Sequence, residues 1–234
     1  MALIAVYVGV LLAEQITAHF FPGRNFLFKY LALSREGIAH GYIWQFLTYQ
    51  FMHSGWIHLL FNSWLIYVFG SALEQLLGGR RYLALMFASG IMGGVFQVFT
   101  AVLWPALFDG SVVGASACVF GAVAAFAMIY PEEELNLLVL LVIPVQLRAR
   151  TLLMLFIVIA LMGIIFPWGA LAAGPHVANA AHLGGMAMGW FYVKKIMKNP
   201  ALPLPSGRCE SRGRTIAGGS RCQPPAGRLL LDHA

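Results

Sequence analysis

The sequence predicts an all-α protein, a polytopic membrane helix bundle with six transmembrane helices. The first observation is composition: 60% of the 234 residues are hydrophobic and only 10% are charged, whereas soluble domains are about 45–50% apolar and about 25% charged. The second is that the apolar residues fall into six stretches, most of them close to the roughly 20 residues that cross a bilayer core. Lipid is therefore the expected solvent for most of the chain.

The first three stretches occupy the N-terminal half of the chain. The first covers residues 2–21 and contains Glu14 and Gln15, which we expect to face other helices because polar side chains are costly in lipid. Residues 22–50 form an amphipathic, aromatic-rich loop that is predicted to lie in the membrane interface. The second and third stretches cover 51–71 and 82–104.

The last three stretches include a short one. The fourth covers 114–130 and is brief for a crossing of about 30 Å. Residues 132–150 are expected to form either an interfacial hairpin or a re-entrant segment, and the fifth and sixth stretches cover 151–167 and 177–197. We therefore divide the chain into a six-span membrane domain, residues 1–198, and a basic Pro/Gly-rich tail, residues 199–234, which is expected to be disordered and cytoplasmic.

The net charge of +6 is unevenly distributed, since eight of the fifteen Lys and Arg lie between Lys194 and Arg228. This concentration favours a cytoplasmic end over a nucleic-acid-binding face, and no nucleic-acid partner is expected. With six spans, the basic residues at 80–81 and 148–150 lie on the same side as this tail. We therefore expect both termini in the cytoplasm and a multi-pass protein of a bacterial inner membrane.

Polar residues near the ends of apolar spans mark functional candidates, because they are costly in a membrane. Three groups lie near the starts of spans two, four and six. They are His53, His58 and Asn62; Gly114 and Ser116; and His182. These three starts lie on one membrane face in the predicted topology, so the groups are expected to converge at one depth.

The converging groups suit nucleophilic catalysis. A serine hydroxyl needs a base, and histidine is the usual base near neutral pH, so Ser116 and His182 can form a catalytic pair. Ser116 begins a helix, where free N–H groups favour a developing oxyanion. His58 and Asn62 are four residues apart and can donate to the same oxyanion. No acidic residue lies in the spans near His182, so a dyad is predicted, with no metal and no other cofactor.

Small residues are predicted to bring the pair together. They are Ala117, Gly121 and Ala125 on span four, and Gly185 and Gly189, a G-x-x-x-G pattern, on span six. Such faces let membrane helices approach closely, so their contact would bring Ser116 to His182. Phe120 lies one turn after Ser116 and could stack on the His182 ring.

Three motifs carry a resemblance to a known family. They are H-x4-H-x3-N from His53 to Asn62, G-x-S-x from Gly114 to Ala117, and A-H-x-x-G-x-x-x-G from Ala181 to Gly189. In their order, spacing and host spans, over roughly residues 42–197, the chain resembles the rhomboid family of intramembrane serine proteases. Trp44-Gln45 falls where many members carry Trp-Arg, and Phe120 falls where some bacterial members have Tyr.

The resemblance implies roles for the motif residues. Ser116 would be the nucleophile and His182 the general base, with His58, Asn62 and the Ser116 backbone N–H as oxyanion donors. Gly114 and His53 are further candidates for the oxyanion or substrate site, although a structural hydrogen bond from His53 to the first loop is equally expected. The implied substrates are single-span membrane proteins in the lipid bilayer.

Other functions remain open from the sequence. A catalytically silent rhomboid-like protein that binds membrane clients is the main alternative, although such proteins usually lose the Ser or the His. A zinc site built from His53, His58 and His182 lacks an H-E-x-x-H motif and a spare carboxylate. A small transporter would be favoured by an internal repeat, and none is visible.

Overall fold

The structure, a computed structural model, describes residues 2–21, 26–139, 143–166 and 178–197. Its helices are α1 (Ala2–Phe20), α2 (Phe26–Leu31), α3 (Arg35–Ala39), α4 (Gln45–Thr48), α5 (Trp56–Leu65), α6 (Ser71–Leu77), α7 (Gly79–Leu103), α8 (Pro105–Phe108), α9 (Ser116–Ile129), α10 (Ala149–Ile165) and α11 (Asn179–Met197). The strands are β1 (Glu134–Val139) and β2 (Ile143–Arg148). The predicted tail, residues 199–234, lies outside the described residues.

Three helical stretches of the described chain are long and apolar enough to cross a membrane. They are Ala2–Phe20, Trp56–Leu77 and Gly79–Leu103, with mean hydropathies of 1.6, 1.3 and 1.7. The apolar helices α9 and α10 are shorter. The predicted helical membrane bundle is confirmed, and the crossing of the bilayer by six helices stays a prediction.

The second predicted span differs from its helix at both ends. A 3₁₀ turn, Tyr49–Phe51, and an extended segment precede the helix, which begins at Trp56 and not near residue 51. The helix then passes through a π-helical turn, Ile66–Gly70, continues beyond residue 71 and ends at Leu77. Gly78 then adopts a φ of +76°, a conformation that glycine allows and that commonly ends helices.

The centre of the bundle is formed by α7, α9 and α11, which pack on one another. At Gly185 and Gly189 the backbone of α11 lies directly against the backbone of α9. A Cβ atom at Gly185 would overlap the carbonyl of Ala117, and one at Gly189 would overlap the carbonyl of Gly121. Close backbone approach of this kind depends on small residues. The contact fixes the distance between the first turns of α9 and α11.

The N-terminal helix α1 lies at the periphery of the bundle. It buries Tyr7 and Leu11, while Glu14 is partly buried. Gln15 is exposed. The expectation that both polar residues face other helices is therefore wrong for Gln15. In a helix of 3.6 residues per turn, adjacent residues point about 100° apart, so Gln15 cannot share the face of Glu14. Most of α1 is apolar and exposed, as expected of a helix surface in contact with lipid.

The strands β1 and β2 pair antiparallel as the two arms of a hairpin, the one strand pairing longer than an isolated bridge in the described residues. Glu134 pairs with Arg148 and Leu135 with Leu147 at its base. Near that base, Arg148 and Arg150 both form ion pairs with Glu132. The hairpin matches one of the two predicted alternatives, and it adds a small β element to the predicted all-α fold. Its position in the membrane interface stays a prediction.

Candidate active site

The loop before α9 is attached to the first loop by main-chain hydrogen bonds. Leu33 and Val112 form an isolated bridge, with N–O distances of 3.0 and 2.8 Å. Further along, the Gly114 N–H donates to the Tyr49 carbonyl at 2.9 Å. These bonds fix the backbone that leads into Ser116.

An ion pair supports the same attachment. Arg35 donates to both oxygens of Asp109, with Nη2–Oδ2 at 2.6 Å and Nε–Oδ1 at 3.3 Å. The hydrogen bonds from Arg35 lower the pKa of the Asp109 carboxyl. The stabilisation is therefore present above the usual carboxyl range and is lost as pH falls through the lowered pKa. Both side chains are about 40% exposed, so the pair adds little to the main-chain bonds.

Ser116 and His182 are in direct contact. Ser116 is the first residue of α9, and His182 lies in the first turn of α11. Their Oγ and Nε2 atoms are 2.9 Å apart. Both residues are partly buried. A serine hydroxyl within hydrogen-bonding distance of an imidazole is the arrangement that general-base activation requires.

Two aromatic rings orient the histidine. The Phe120 ring stacks on the His182 ring, with centroids 4.3 Å apart and an interplanar angle of 29°. Phe156 of α10 contacts Phe120 edge-on at 4.9 Å. The His182 ring therefore lies between Phe120, on which it stacks, and Ser116 Oγ, which its Nε2 contacts. The contribution of Phe156 was not identified from the sequence, since nothing in the motifs indicates which face of α10 turns inward.

His58 lies directly over Gly114. A Cβ atom on Gly114 would be 2.9 Å from His58 Nε2 and 2.7 Å from Cε1. On the other side of the ring, Nδ1 lies 3.0 Å from Ser54 Oγ. If Ser54 donates to Nδ1, the proton of His58 is on Nε2 and faces Gly114, two residues before Ser116. Ser54 is not among the residues that the motifs single out, because it lies before α5, where helical spacing does not relate it to His58.

Asn62 and His53 are buried, at 4% and 3% exposure. Asn62 Nδ2 donates to the main-chain carbonyl of His58 at 3.1 Å. Neither ring nitrogen of His53 has a hydrogen-bond partner among the described residues, so the bond to the first loop that the sequence left open is not formed there. Within the described ranges, no group of three or more His, Cys, Asp or Glu side chains could hold a metal ion.

Gln45 falls where the resemblance noted from the sequence would place an arginine. It is completely buried, and its Oε1 accepts from the Ser34 N–H at 3.2 Å. Its Nε2 donates to the Lys29 carbonyl, also at 3.2 Å. The amide therefore joins α4 to the earlier part of the first loop. It uses both a donor and an acceptor, whereas a guanidinium has donors only.

Gly114 provides a test of the His58 contact. Gly114 and Gly110 both have positive φ, +126° and +153°, so alanine is strained at either position. Only at Gly114 would the new Cβ collide with His58, because the space at Gly110 is open. If the chain is the protease that the resemblance implies and His58 is its oxyanion donor, we expect Gly114→Ala to lower the rate by about 10²-fold and Gly110→Ala to change it less than about threefold. Equal rates for the two purified variants would contradict this role of Gly114.

A family model matches most of this chain. The Rhomboid domain model matches residues 40–199, more than half of the chain. The chain belongs to the rhomboid family. This rhomboid is 38% identical over 99 residues to "Putative rhomboid protease YdcA" of Bacillus subtilis (strain 168), covering 42% of the chain and 47% of that protein. It is 27% identical over 200 residues to "Rhomboid protease GlpG" of Haemophilus influenzae, covering 84% of the chain and 91% of that protein.

Some relatives differ from these two in length or activity. The rhomboid spans about half or less of the length of several curated relatives. One is "Rhomboid protein 1, mitochondrial" of Saccharomyces cerevisiae, which is 27% identical over 178 residues; the match covers 74% of the chain and 48% of that protein. Another match, 36% identical over 69 residues, is named "Inactive RHOMBOID-like protein 8", from Arabidopsis thaliana, and involves 30% of the chain and 20% of that protein. Membership of the family therefore establishes an integral membrane protein but does not by itself establish activity.

Proposed function

We propose that this rhomboid is an intramembrane serine protease with Ser116 as nucleophile and His182 as general base. The observation that carries the proposal is the 2.9 Å contact between Ser116 Oγ and His182 Nε2. His182 would take the hydroxyl proton as Oγ attacks a substrate carbonyl, and would return it to the departing amine as the peptide bond breaks. Water, activated by the same histidine, would then hydrolyse the acyl-enzyme and restore the Ser116 hydroxyl.

The oxyanion of the tetrahedral intermediate requires hydrogen-bond donors. The Ser116 backbone N–H lies at the start of α9, where main-chain N–H groups lack intrahelical partners. His58 Nε2 lies over Gly114 and supplies a second donor in the tautomer described above. Asn62 donates to the His58 carbonyl, so its second amide hydrogen or a side-chain rotation would be needed for it to act as the third donor.

The proposed substrates are single-span membrane proteins within the lipid bilayer. A transmembrane helix engages its carbonyls in hydrogen bonds, so it must unwind locally before Ser116 can attack. Glycine and proline lower helix stability by about 1 and about 3 kcal/mol relative to alanine, and substrates carrying them near the cut are the best candidates. Both termini are proposed to be cytoplasmic, with the site toward the opposite membrane face, in a bacterial inner membrane.

A second function has one observation in its favour. A relative named as inactive matches part of this chain, so a catalytically silent protein that binds membrane clients is the alternative. The presence of both Ser116 and His182 in hydrogen-bonding contact favours the protease. A silent protein would have no need to keep this contact.

A serine-directed fluorophosphonate tests the proposal against both the silent and the metal-dependent alternatives. We expect the purified protein in detergent or vesicles to cleave a transmembrane reporter. We also expect cleavage to stop on fluorophosphonate treatment, with the adduct on Ser116 by mass spectrometry, and to continue with a metal chelator. A wild-type protein that neither cleaves the reporter nor reacts at Ser116 would favour the silent function.

A further inference from the structure

Gln50 is a buried polar side chain that the proposed reaction does not use. It is completely buried and lies in the 3₁₀ turn Tyr49–Phe51 that precedes α5. Its Nε2 donates to the Phe46 carbonyl at 2.8 Å, and its Oε1 accepts from the Cys118 thiol, with Sγ and Oε1 3.1 Å apart. A buried polar atom that loses its partner carries the full cost of desolvation. The amide of Gln50 therefore favours the arrangement in which both of its ends are paired.

Tyr49 and Gln50 bind the chain on both sides of Ser116. The Tyr49 carbonyl accepts from the Gly114 N–H at 2.9 Å, two residues before the serine. The Gln50 amide accepts from Cys118, two residues after it. Ser116 and Cys118 lie about 200° apart around α9, because an α-helix turns by about 100° per residue. The contact with Gln50 therefore opposes a rotation of the first turn of α9, which would turn the Ser116 hydroxyl away from its base.

The central helix α7 anchors both of these residues. Tyr49 Oη donates to the Gly90 carbonyl at 2.7 Å, and the tyrosine is buried. A Cβ atom on Gly90 would overlap the side-chain amide of Gln50, so this amide lies directly against the α7 backbone. The Gln50 amide is therefore confined by α7 while it accepts the thiol of Cys118 on α9.

We propose that Gln50 is a positioning residue for Ser116. Its amide oxygen, bonded to the Cys118 thiol, sets the rotation of the first turn of α9 and with it the direction of the Ser116 hydroxyl and backbone N–H. This inference rests on the proposed protease function. Gln50 and Cys118 are both buried, so they act through Ser116 and not on a substrate. The chemistry required at position 118 is a small hydrogen-bond donor, which serine also provides.

Removal of either partner tests the contact. We expect Gln50→Leu and Cys118→Ala each to lower kcat by about tenfold, within the roughly 10²-fold that a misplacement of about 1 Å can cost a reaction. KM should stay within about twofold in both. Because the two substitutions break one contact, the double variant should be no slower than the slower single one. Cys118→Ser keeps a donor and should stay within about threefold of the wild-type kcat.

Gln45→Leu is the matched control for Gln50→Leu. Gln45 is also a completely buried glutamine of the first loop, but its amide bonds to Ser34 and Lys29 and not to α9. This variant should keep kcat per active molecule within about twofold of the wild type. A Gln45→Leu enzyme as slow per active molecule as Gln50→Leu would show that the effect comes from loosening the first loop, and would overturn the proposal.

The kinetics must be counted per active molecule. Titration with a fluorophosphonate gives the concentration of reactive Ser116, and kcat is then expressed per reactive site. A role in folding alone would lower the number of reactive sites and leave kcat per site unchanged. An unchanged kcat per site in both Gln50→Leu and Cys118→Ala would overturn the proposal, and a Cys118→Ser variant as slow as Cys118→Ala would overturn the role of the hydrogen bond.

Two spectroscopic signals test the contact independently of proteolysis. The S–H stretching band of Cys118, obtained as the infrared difference between the wild type and Cys118→Ala, lies at lower frequency when the thiol donates, so Gln50→Leu should raise it. The Ser116 amide resonance of ¹⁵N-serine-labelled protein, assigned by its loss in Ser116→Ala, should shift in Gln50→Leu and stay in place in Gln45→Leu. An unchanged band or an unshifted Ser116 resonance in Gln50→Leu would overturn the proposal. If the wild type proves inactive, the proposed function fails, and these two signals alone decide whether Gln50 positions Ser116.

Discussion

Replacement of Ser116 by alanine is expected to remove proteolysis, lowering the rate by on the order of 10⁴-fold or more, because nucleophile and base act as a unit. For the same reason His182→Ala should lose about as much, and the double variant little more than either single one. The measurement is the initial rate of cleavage of a transmembrane reporter by purified protein reconstituted in vesicles.

The matched control for the nucleophile is Ser63→Ala. Ser63 lies on α5, and its hydroxyl is buried without a hydrogen-bond partner among the described residues. The control should therefore keep the wild-type rate, and all variants should show wild-type thermal unfolding within a few degrees. Cleavage by folded Ser116→Ala at an undiminished rate would show that Ser116 is not the nucleophile.

Replacement of Gly189 by alanine is expected to disrupt the contact between α9 and α11. A Cβ atom at this position would overlap the carbonyl oxygen of Gly121, which is backbone and cannot rotate away. Overpacking in a close-packed interior costs about 1–3 kcal/mol and occasionally more. We expect a clear loss of stability and a fall in activity, because the separation of these helices sets the distance from Ser116 to His182.

Gly9→Ala is the control for this substitution. Gly9 is also within an apolar helix, α1, but nothing lies within 4 Å of the Cβ atom it would gain. The added methyl group should be neutral or slightly stabilising there, since alanine is favoured over glycine in helices by about 1 kcal/mol. Thermal unfolding in detergent compares the two variants. A Gly189→Ala protein as stable and as active as Gly9→Ala would contradict the close backbone contact.

The features that could be predicted from the sequence are those that depend on a long apolar stretch or on residue spacing within a helix. The helical membrane bundle followed from composition and from the lengths of the apolar stretches. The neighbourhood of Ser116, His182 and Phe120 followed from the spacing of motifs and small residues, although their catalytic roles stay predictions. These features depend on positions along single helices, which helical periodicity relates directly.

Features set by contacts between distant segments could not be predicted. The start of α5 at Trp56 follows an extended segment in which Met52 and His53 are buried. The extension of the helix to Leu77 passes through a π-helical turn that no local pattern indicated. The burial of Gln45 depends on carbonyls of residues about 15 positions earlier. Contacts of this kind result from tertiary packing, which overrides local propensity.

The length of α9, 14 residues, determines how deep in the bilayer the proposed site would lie. At 1.5 Å per residue the helix is about 21 Å long, against a hydrocarbon thickness of about 30 Å. If the Ile129 end lies at the inner boundary, Ser116 lies about 9 Å within the outer one. In an intact substrate helix that depth corresponds to about six residues. The preferred cut would then be set by distance from the membrane boundary, so lengthening the outer end of a substrate span should move the cut along its sequence by the same number of residues.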